Sequence, residues 1–160
     1  MKLSSTFAAL VLTLACGSAF SQVTVKDPWV RATVPAQKST GAFMQLTSTQ
    51  DLRLVEARSP AAGVVEIHEM RMENNVMKMK AVDAIALPAG KTVNLASGGY
   101  HVMMMDLKGQ VKEGDTVPIT LVVEDAAKKR QTIEIKATAR NLTAAAGAPA
   151  GHAGHGEHKH

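Results

Sequence analysis

The chain has 160 residues, which is enough for one domain with a single hydrophobic core. Its formal charge of +4 comes from 18 basic and 14 acidic residues that are scattered along the chain, so composition gives nucleic-acid binding no support. There is one cysteine, which excludes internal disulfides and dithiol redox chemistry.

Residues 1–21 have the three parts of a secretory signal. Met1-Lys2 supplies a positive start, an apolar run extends from Phe7 to Ala15, and Ala19-Phe20-Ser21 places small residues at both cleavage-determining positions. This run is shorter than the ~20 residues that cross a bilayer, and no later stretch is long enough either. We therefore expect an exported protein without a membrane span, cleaved before Gln22.

Cys16 lies within this signal. The preceding Thr13-Leu14-Ala15 lacks the Leu that usually stands three residues before a lipoprotein cysteine, which favours cleavage over acylation; lipidation at Cys16 stays the alternative. After cleavage the mature chain would contain no thiolate ligand. It could not form the site of a blue-copper electron carrier, which needs a cysteine and two histidines.

Short apolar-alternating runs rich in Val, Ile and Thr, separated by turn residues, fill the chain from Gln22 to Arg140. This pattern favours an all-β Greek-key sandwich or barrel, and we place the folded domain at residues 22–143. The predicted strands are Val23–Lys26, Gly41–Ser48, Arg53–Arg58, Val64–Glu73, Val76–Ala81, Lys91–Leu95, His101–Leu107, Ile119–Glu124 and Thr132–Ala139.

Seven of the nine methionines are concentrated in two segments, residues 70–79 and 103–105. The only two histidines of the folded domain, His68 and His101, adjoin the same segments. Because side chains two apart on a strand point the same way, His101 and Met103 can hold one ion together. A hairpin at Asn74-Asn75 would return Met79 toward His68 and complete a four-ligand set.

Imidazole and thioether groups form a soft, neutral ligand set that suits Cu(I) better than Zn(II) or Mg(II). The alternative is that the methionines only fill the core, as this flexible side chain often does. Core filling alone does not explain all three residues of Met103-Met104-Met105, since successive side chains of a strand point to opposite faces and only one face can meet the core. Glu66 shares the face of His68 and is either a supporting partner for it or a solvent-exposed residue, whereas Glu69 alternates away.

The array of His68, ten residues, Met79, twenty-one residues, His101, one residue and Met103 resembles the pattern of the periplasmic PCuAC copper chaperones. Flanking segments are also similar to that family: Asp27-Pro28-Trp29-Val30-Arg31-Ala32-Thr33, Gly41-Ala42-Phe43-Met44, Gly98-Gly99-Tyr100-His101-Val102-Met103-Met104-Met105, Leu107-Lys108 and Glu113-Gly114-Asp115. The likeness extends from about Val23 to Thr138. Trp29 itself is interpreted as a packing aromatic.

This resemblance implies a cupredoxin-like Greek-key fold with an exposed Cu(I) site. We expect a periplasmic protein that is not an enzyme, and either a monomer or a metal-linked dimer. The resemblance further implies delivery of copper toward the copper centre of cytochrome c oxidase, with that copper subunit and a Sco-type thioredoxin-fold protein as partners. The alternatives are a periplasmic copper storage or resistance protein and a structural β-sandwich domain that binds no metal. An enzyme would need a positioned acid, base or nucleophile, and no such motif is evident.

From Ala144 to His160 the composition changes to Ala, Gly, Pro and His, with almost nothing to bury in a core. We interpret residues 144–160 as a disordered tail. Its four histidines are a candidate Cu(II) site, and a merely solubilising extension is the alternative. These histidines are His152, His155, His158 and His160.

Overall fold

The computed structural model describes residues 22–142. The predicted signal with Cys16, and the predicted tail with its four histidines, lie outside the described residues. The ten strands are β1 (Val23–Arg31), β2 (Ser39–Ser48), β3 (Leu52–Arg58), β4 (Ala62–Glu73), β5 (Val76–Ala81), β6 (Ile85–Leu87), β7 (Thr92–Leu95), β8 (Tyr100–Leu107), β9 (Thr116–Glu124) and β10 (Arg130–Arg140). Within residues 22–142, no helix has the length and apolar character needed to cross a membrane.

The all-β prediction is confirmed, and nine of the ten strands were predicted. β1 continues beyond the predicted end at Lys26. Its pairing with β2 shifts register between Lys26 and Trp29, where Asp27 has a positive φ of 47°, and resumes from Trp29. β6 was missed, since three residues are too short to display an alternating pattern.

One hydrogen-bonded sheet contains all ten strands in the order β5-β4-β8-β2-β1-β10-β9-β3-β6, with β7 added against β2. The pairing of β1 with β10 is parallel, and the other ladders are antiparallel. The sheet does not close into a barrel; instead it curves until β3 contacts β4 without a ladder between them. Fully buried side chains inside this curve include Leu46, Leu54, Val102, Met104 and Leu121.

The β4–β5 hairpin forms one edge of the sheet. Its turn residues Asn74 and Asn75 have φ values of 51° and 61°, as a two-residue type I′ turn requires, and Asn tolerates this conformation. This turn fixes the register of the two strands. Every residue of β5 is exposed, so the hairpin projects beyond the core.

Candidate metal centre

β8 carries two different sets of side chains on its two faces. Val102 and Met104 are fully buried in the core, while His101, Met103 and Met105 point to the other face. Met104 is therefore a core residue, and its two neighbours are not. The outer face of β8 must be explained by something other than core packing.

Strand pairing assembles the predicted ligands on this outer face. His68 of β4 lies directly opposite His101 of β8, with ring centroids 5.8 Å apart. On the other side of β4, Met79 of β5 lies opposite Met70, which is two residues from His68 on the same face of β4. Met103 is two residues along β8 from His101, so all four predicted ligands share one face of three adjacent strands.

A pocket of about 270 Å³ opens on this face. Met79, His101 and Met103 all line it, together with Met70, which was not among the predicted ligands. His68 is not part of the lining; it is buried, and its ring lies beside the ring of His101. The structure thus brings three predicted ligands around one space and holds the fourth next to His101, outside the lining.

The hydrogen bonding of His101 leaves one ring nitrogen available. Nδ1 lies 3.2 Å from the carbonyl oxygen of Gly99, which can only accept, so Nδ1 carries the proton and Nε2 has the lone pair. Burial lowers the pKa of His101, the Gly99 hydrogen bond opposes this, and electrostatic interactions with His68 and Arg31 lower it further. The ring is therefore neutral at neutral pH and able to bind a metal ion.

His68 is held by Glu66, the carboxylate that the sequence offered as a supporting partner. Nε2 of His68 lies 2.8 Å from Oε2 of Glu66, which accepts a hydrogen bond from it, so in the tautomer that this bond favours the lone pair is on Nδ1. Nδ1 is buried and has no hydrogen-bond partner. An orphaned buried nitrogen is costly unless it binds something, and a carboxylate on the opposite nitrogen is the usual support of a metal-binding histidine.

Aromatic and cationic side chains complete the surroundings of His101, and two of them, Phe43 and Arg31, were not predicted to lie there. Phe43 packs between Trp29 and His101, with ring centroids 4.5 Å and 6.2 Å away, and Arg31 lies 5.8 Å from its ring centre. Gly41 is needed here, since a Cβ would stand 2.8 Å from Cζ of Phe43. The packing role predicted for Trp29 is found, but on the outer face beside the pocket.

The donor set around the pocket is soft and uncharged. Among residues 22–142, no group of three or more His, Cys, Asp and Glu side chains is placed to hold a metal ion. The pocket lining includes no carboxylate, and Arg31 contributes a positive charge to it. The ligands on offer are thioether sulfur and neutral imidazole nitrogen, which favour a soft monovalent ion over a hard divalent one.

Known proteins resemble this chain in sequence and in fold. The family model described as "Putative lipoprotein LpqE-like" matches residues 23–136. "Putative lipoprotein Lxx21020" from Leifsonia xyli subsp. xyli is 30% identical over 115 residues, which are 71% of this chain and 69% of that protein.

Two solved structures are similar over most of the described domain. Cu(I)-DR1885 from Deinococcus radiodurans, solved in solution, is 33% identical with a TM-score of 0.59, and the match covers 79% of this chain and 84% of that one. The copper-bound PCuAC domain from PmoF2 is 25% identical with a TM-score of 0.61, covering 77% and 96%. These similarities confirm the predicted cupredoxin-like fold class.

Proposed function

The chain belongs to the LpqE-like family, which is the PCuAC type, and on that basis we propose that it is an exported copper chaperone. It binds one Cu(I) ion through His68, Met79, His101 and Met103 and passes the ion to another protein. The observation that carries this proposal is the meeting of Met79, His101 and Met103 around one pocket that has no carboxylate in its lining.

The charge of the pocket supports Cu(I) over divalent ions. Four neutral ligands do not compensate a second positive charge, and the guanidinium of Arg31 adds repulsion that is stronger for a divalent ion than for a monovalent one. Thioether sulfur also suits the soft, filled d shell of Cu(I). Zn(II) and Cu(II) would therefore bind this pocket weakly.

Two hydrogen bonds prepare the histidines for binding. Nε2 of His101 and Nδ1 of His68 are the nitrogens that Gly99 and Glu66 leave with lone pairs. Burial lowers the pKa of His101, so protons compete less with copper near neutral pH than they would at an exposed ring.

The exposure of Met79 supports a carrier over a permanent copper centre. Met79 is 46% exposed on an edge strand, while His101 and His68 are buried. A ligand from a partner protein can reach the ion from the exposed edge of the sheet and displace Met79 while the histidines still hold the ion. Ligand exchange of this kind needs no acid, base or nucleophile, so we propose a carrier and not an enzyme.

The proposed destination is the copper centre of cytochrome c oxidase, in the periplasm, with a Sco-type thioredoxin-fold protein as a partner. The family resemblance supports this destination. The chain has a single cysteine, within the proposed signal, so any reduction of acceptor cysteines by dithiol exchange must come from the partner. We further propose that His152, His155, His158 and His160 capture Cu(II) separately from the main site.

An anaerobic Cu(I) titration against a chromophoric competitor tests the site. We would use the full mature chain with its four tail histidines changed to alanine, so that only the domain is measured. The variant His101→Ala/Met103→Ala should lose at least about 100-fold in affinity, equivalent to ~2.7 kcal/mol. Met105→Ala is the matched control, because Met105 shares the strand and the face but does not line the pocket. Unchanged affinity in the double variant would overturn the site.

Transfer to an acceptor distinguishes a chaperone from a storage protein. The copper-loaded chain would be mixed with the apo copper-binding domain of the oxidase, and the copper carried by each protein would be measured after separation. A chaperone should pass its ion to the acceptor faster than the ion dissociates into a chelator alone. Transfer no faster than dissociation would leave storage as the function of the same site.

A further inference from the structure

Four methionines lie on one face of the β4–β5 hairpin in two successive cross-strand pairs. Met70 pairs with Met79, and Met72 pairs with Met77 one step closer to the turn. Only Met79 is used by the proposed Cu(I) site. The other three are left without a role by the function described so far.

The register places each pair at the closer of the two spacings that alternate along an antiparallel ladder. The amide of Met70 donates to the carbonyl of Gly99 and so points away from β5, and the hairpin ladder ends at the hydrogen bond from Val82 to Ile67. Hydrogen-bonded and non-hydrogen-bonded pairs alternate, so both methionine pairs are of the non-hydrogen-bonded kind. Their Cβ atoms are then about 5 Å apart or less.

Core packing does not explain these methionines. Met72, Met77 and Met79 are 61%, 48% and 46% exposed. The opposite face of the hairpin is charged and solvated, with ion pairs from Arg71 to Glu69 and from Lys78 to Glu73. A hairpin that is exposed on both faces would ordinarily carry polar residues on both, and here one face carries four thioethers.

We propose that Met70, Met72 and Met77 form a second Cu(I) site, made of thioethers alone, next to the proposed main site. Successive pairs are about 6.6–6.8 Å apart along the strands, and the unbranched methionine side chain has enough rotatable bonds to bring sulfurs from two pairs onto one ion. Thioether ligands are neutral and need no deprotonation, so the site selects soft monovalent d¹⁰ ions, Cu(I) and Ag(I).

The position of this second site gives it a role that rests on the proposed function. Met70 and Met79 form one pair and both line the main pocket, while Met72 and Met77 lie farther out toward the turn. An ion held by Met70, Met72 and Met77 can pass to Met79 and the pocket by exchanging one thioether ligand at a time. The second site thus lies where it can exchange Cu(I) with the main pocket.

The test follows each methionine separately by NMR of chains labelled with ¹³C in the methionine methyl groups. The protein is the full mature chain with its tail histidines changed to alanine, and the probes are Ag(I) and, under anaerobic conditions, Cu(I). The first equivalent should shift the methyl signals of Met79 and Met103, and the second should shift those of Met72 and Met77. The buried Met44 and Met104 serve as unshifted references.

Two variants make the result decisive. Met72→Leu/Met77→Leu should keep the first binding event and lose the second, since leucine preserves size and polarity but offers no ligand. In His101→Ala/Met103→Ala, Met72 and Met77 should respond to the first equivalent.

Signals of Met72 and Met77 that stay fixed through three equivalents would overturn the second site. If instead they shift while Met79 and Met103 do not, the second site stands and the proposed main site fails. An unchanged second binding event in Met72→Leu/Met77→Leu would also overturn the assignment.

Discussion

The two ends of the sheet are alike on the side that faces the core and differ in the chemistry of the side that faces outward. At the β4–β8 end, Met104 fills the core and the outward side chains are thioethers and imidazoles. At the β3–β9–β10 end, Leu121 and Val123 of β9 fill the core in the same way. However, β9 ends at Glu124, a buried carboxylate surrounded by cations.

The difference lies in whether the polar atoms already have partners. Arg130, Arg53 and Lys128 all bind Glu124, and hydrogen bonds from Arg130 and then Arg53 lower the pKa of Glu124 to about 2. A carboxylate so fully paired has little left for a metal ion. The pocket end holds the opposite arrangement, because Nδ1 of His68 is buried without a partner. One end uses its polar groups for folding, and the other keeps them available for a ligand.

The largest effect that we predict separates two adjacent methionines. Met104→Ala should lower the free energy of unfolding by about 2–5 kcal/mol, because Met104 is fully buried and its loss leaves a cavity. The Cu(I) affinity of the molecules that stay folded should not change. Urea denaturation measures the first quantity and competitor titration the second.

The matched variant is Met103→Ala, one residue away on the other face. Its Cu(I) affinity should fall by about 10-fold or more, equivalent to ~1.4 kcal/mol. Its unfolding free energy should change far less than that of Met104→Ala, since Met103 is only partly buried beside an open pocket. Equal effects of both substitutions on stability, with no effect on copper, would erase the distinction between the two faces.

Local patterns in the sequence were enough to predict much of this arrangement. The alternation of β8, the turn at Asn74-Asn75 and the shared face of Glu66 and His68 all depend on residues close together in the chain. The opposition of His68 and His101 depends on the register between two strands far apart in sequence, which a local pattern does not determine.

The pocket residues that were not predicted also depend on pairing between strands far apart in sequence. Arg31 and Phe43 belong to β1 and β2, and they reach His101 only because β2 pairs with β8. Phe43 had one local sign, the small Gly41 two residues before it on the same face. Met70 carried the right parity beside His68, but its place in the pocket depends on the pairing with Met79.

An intermediate effect is predicted for the carboxylate that holds His68. Glu66→Gln should reduce Cu(I) affinity by about 10-fold, at the lower end of the usual cost of losing a metal ligand's supporting partner. The amide oxygen can still accept a hydrogen bond from Nε2 but lacks the negative charge that strengthens the ring as a metal ligand. Glu69→Gln is the control, since Glu69 lies on the other face and binds Arg71. Competitor titration of both variants measures the difference, and equal affinities would show that Glu66 does not act through His68.

The smallest effect belongs to the charged end and depends on pH. Because the pKa of Glu124 falls from its ordinary 4.5 to about 2 on folding, its ion pairs stabilise the native state fully above pH 4.5 and lose this contribution as the pH falls toward 2. Glu124→Gln should therefore have a lower Tm than the wild type at pH 7, with a difference in Tm that closes on acidification.

The difference in Tm should be modest, because Arg53 and Arg130 are 48% and 59% exposed and solvent screens their charges. A difference in Tm that stays constant down to pH 2 would contradict the ion-pair origin of this stability. Cu(I) affinity at pH 7 should equal that of the wild type, since none of the proposed ligands lies at this end of the sheet.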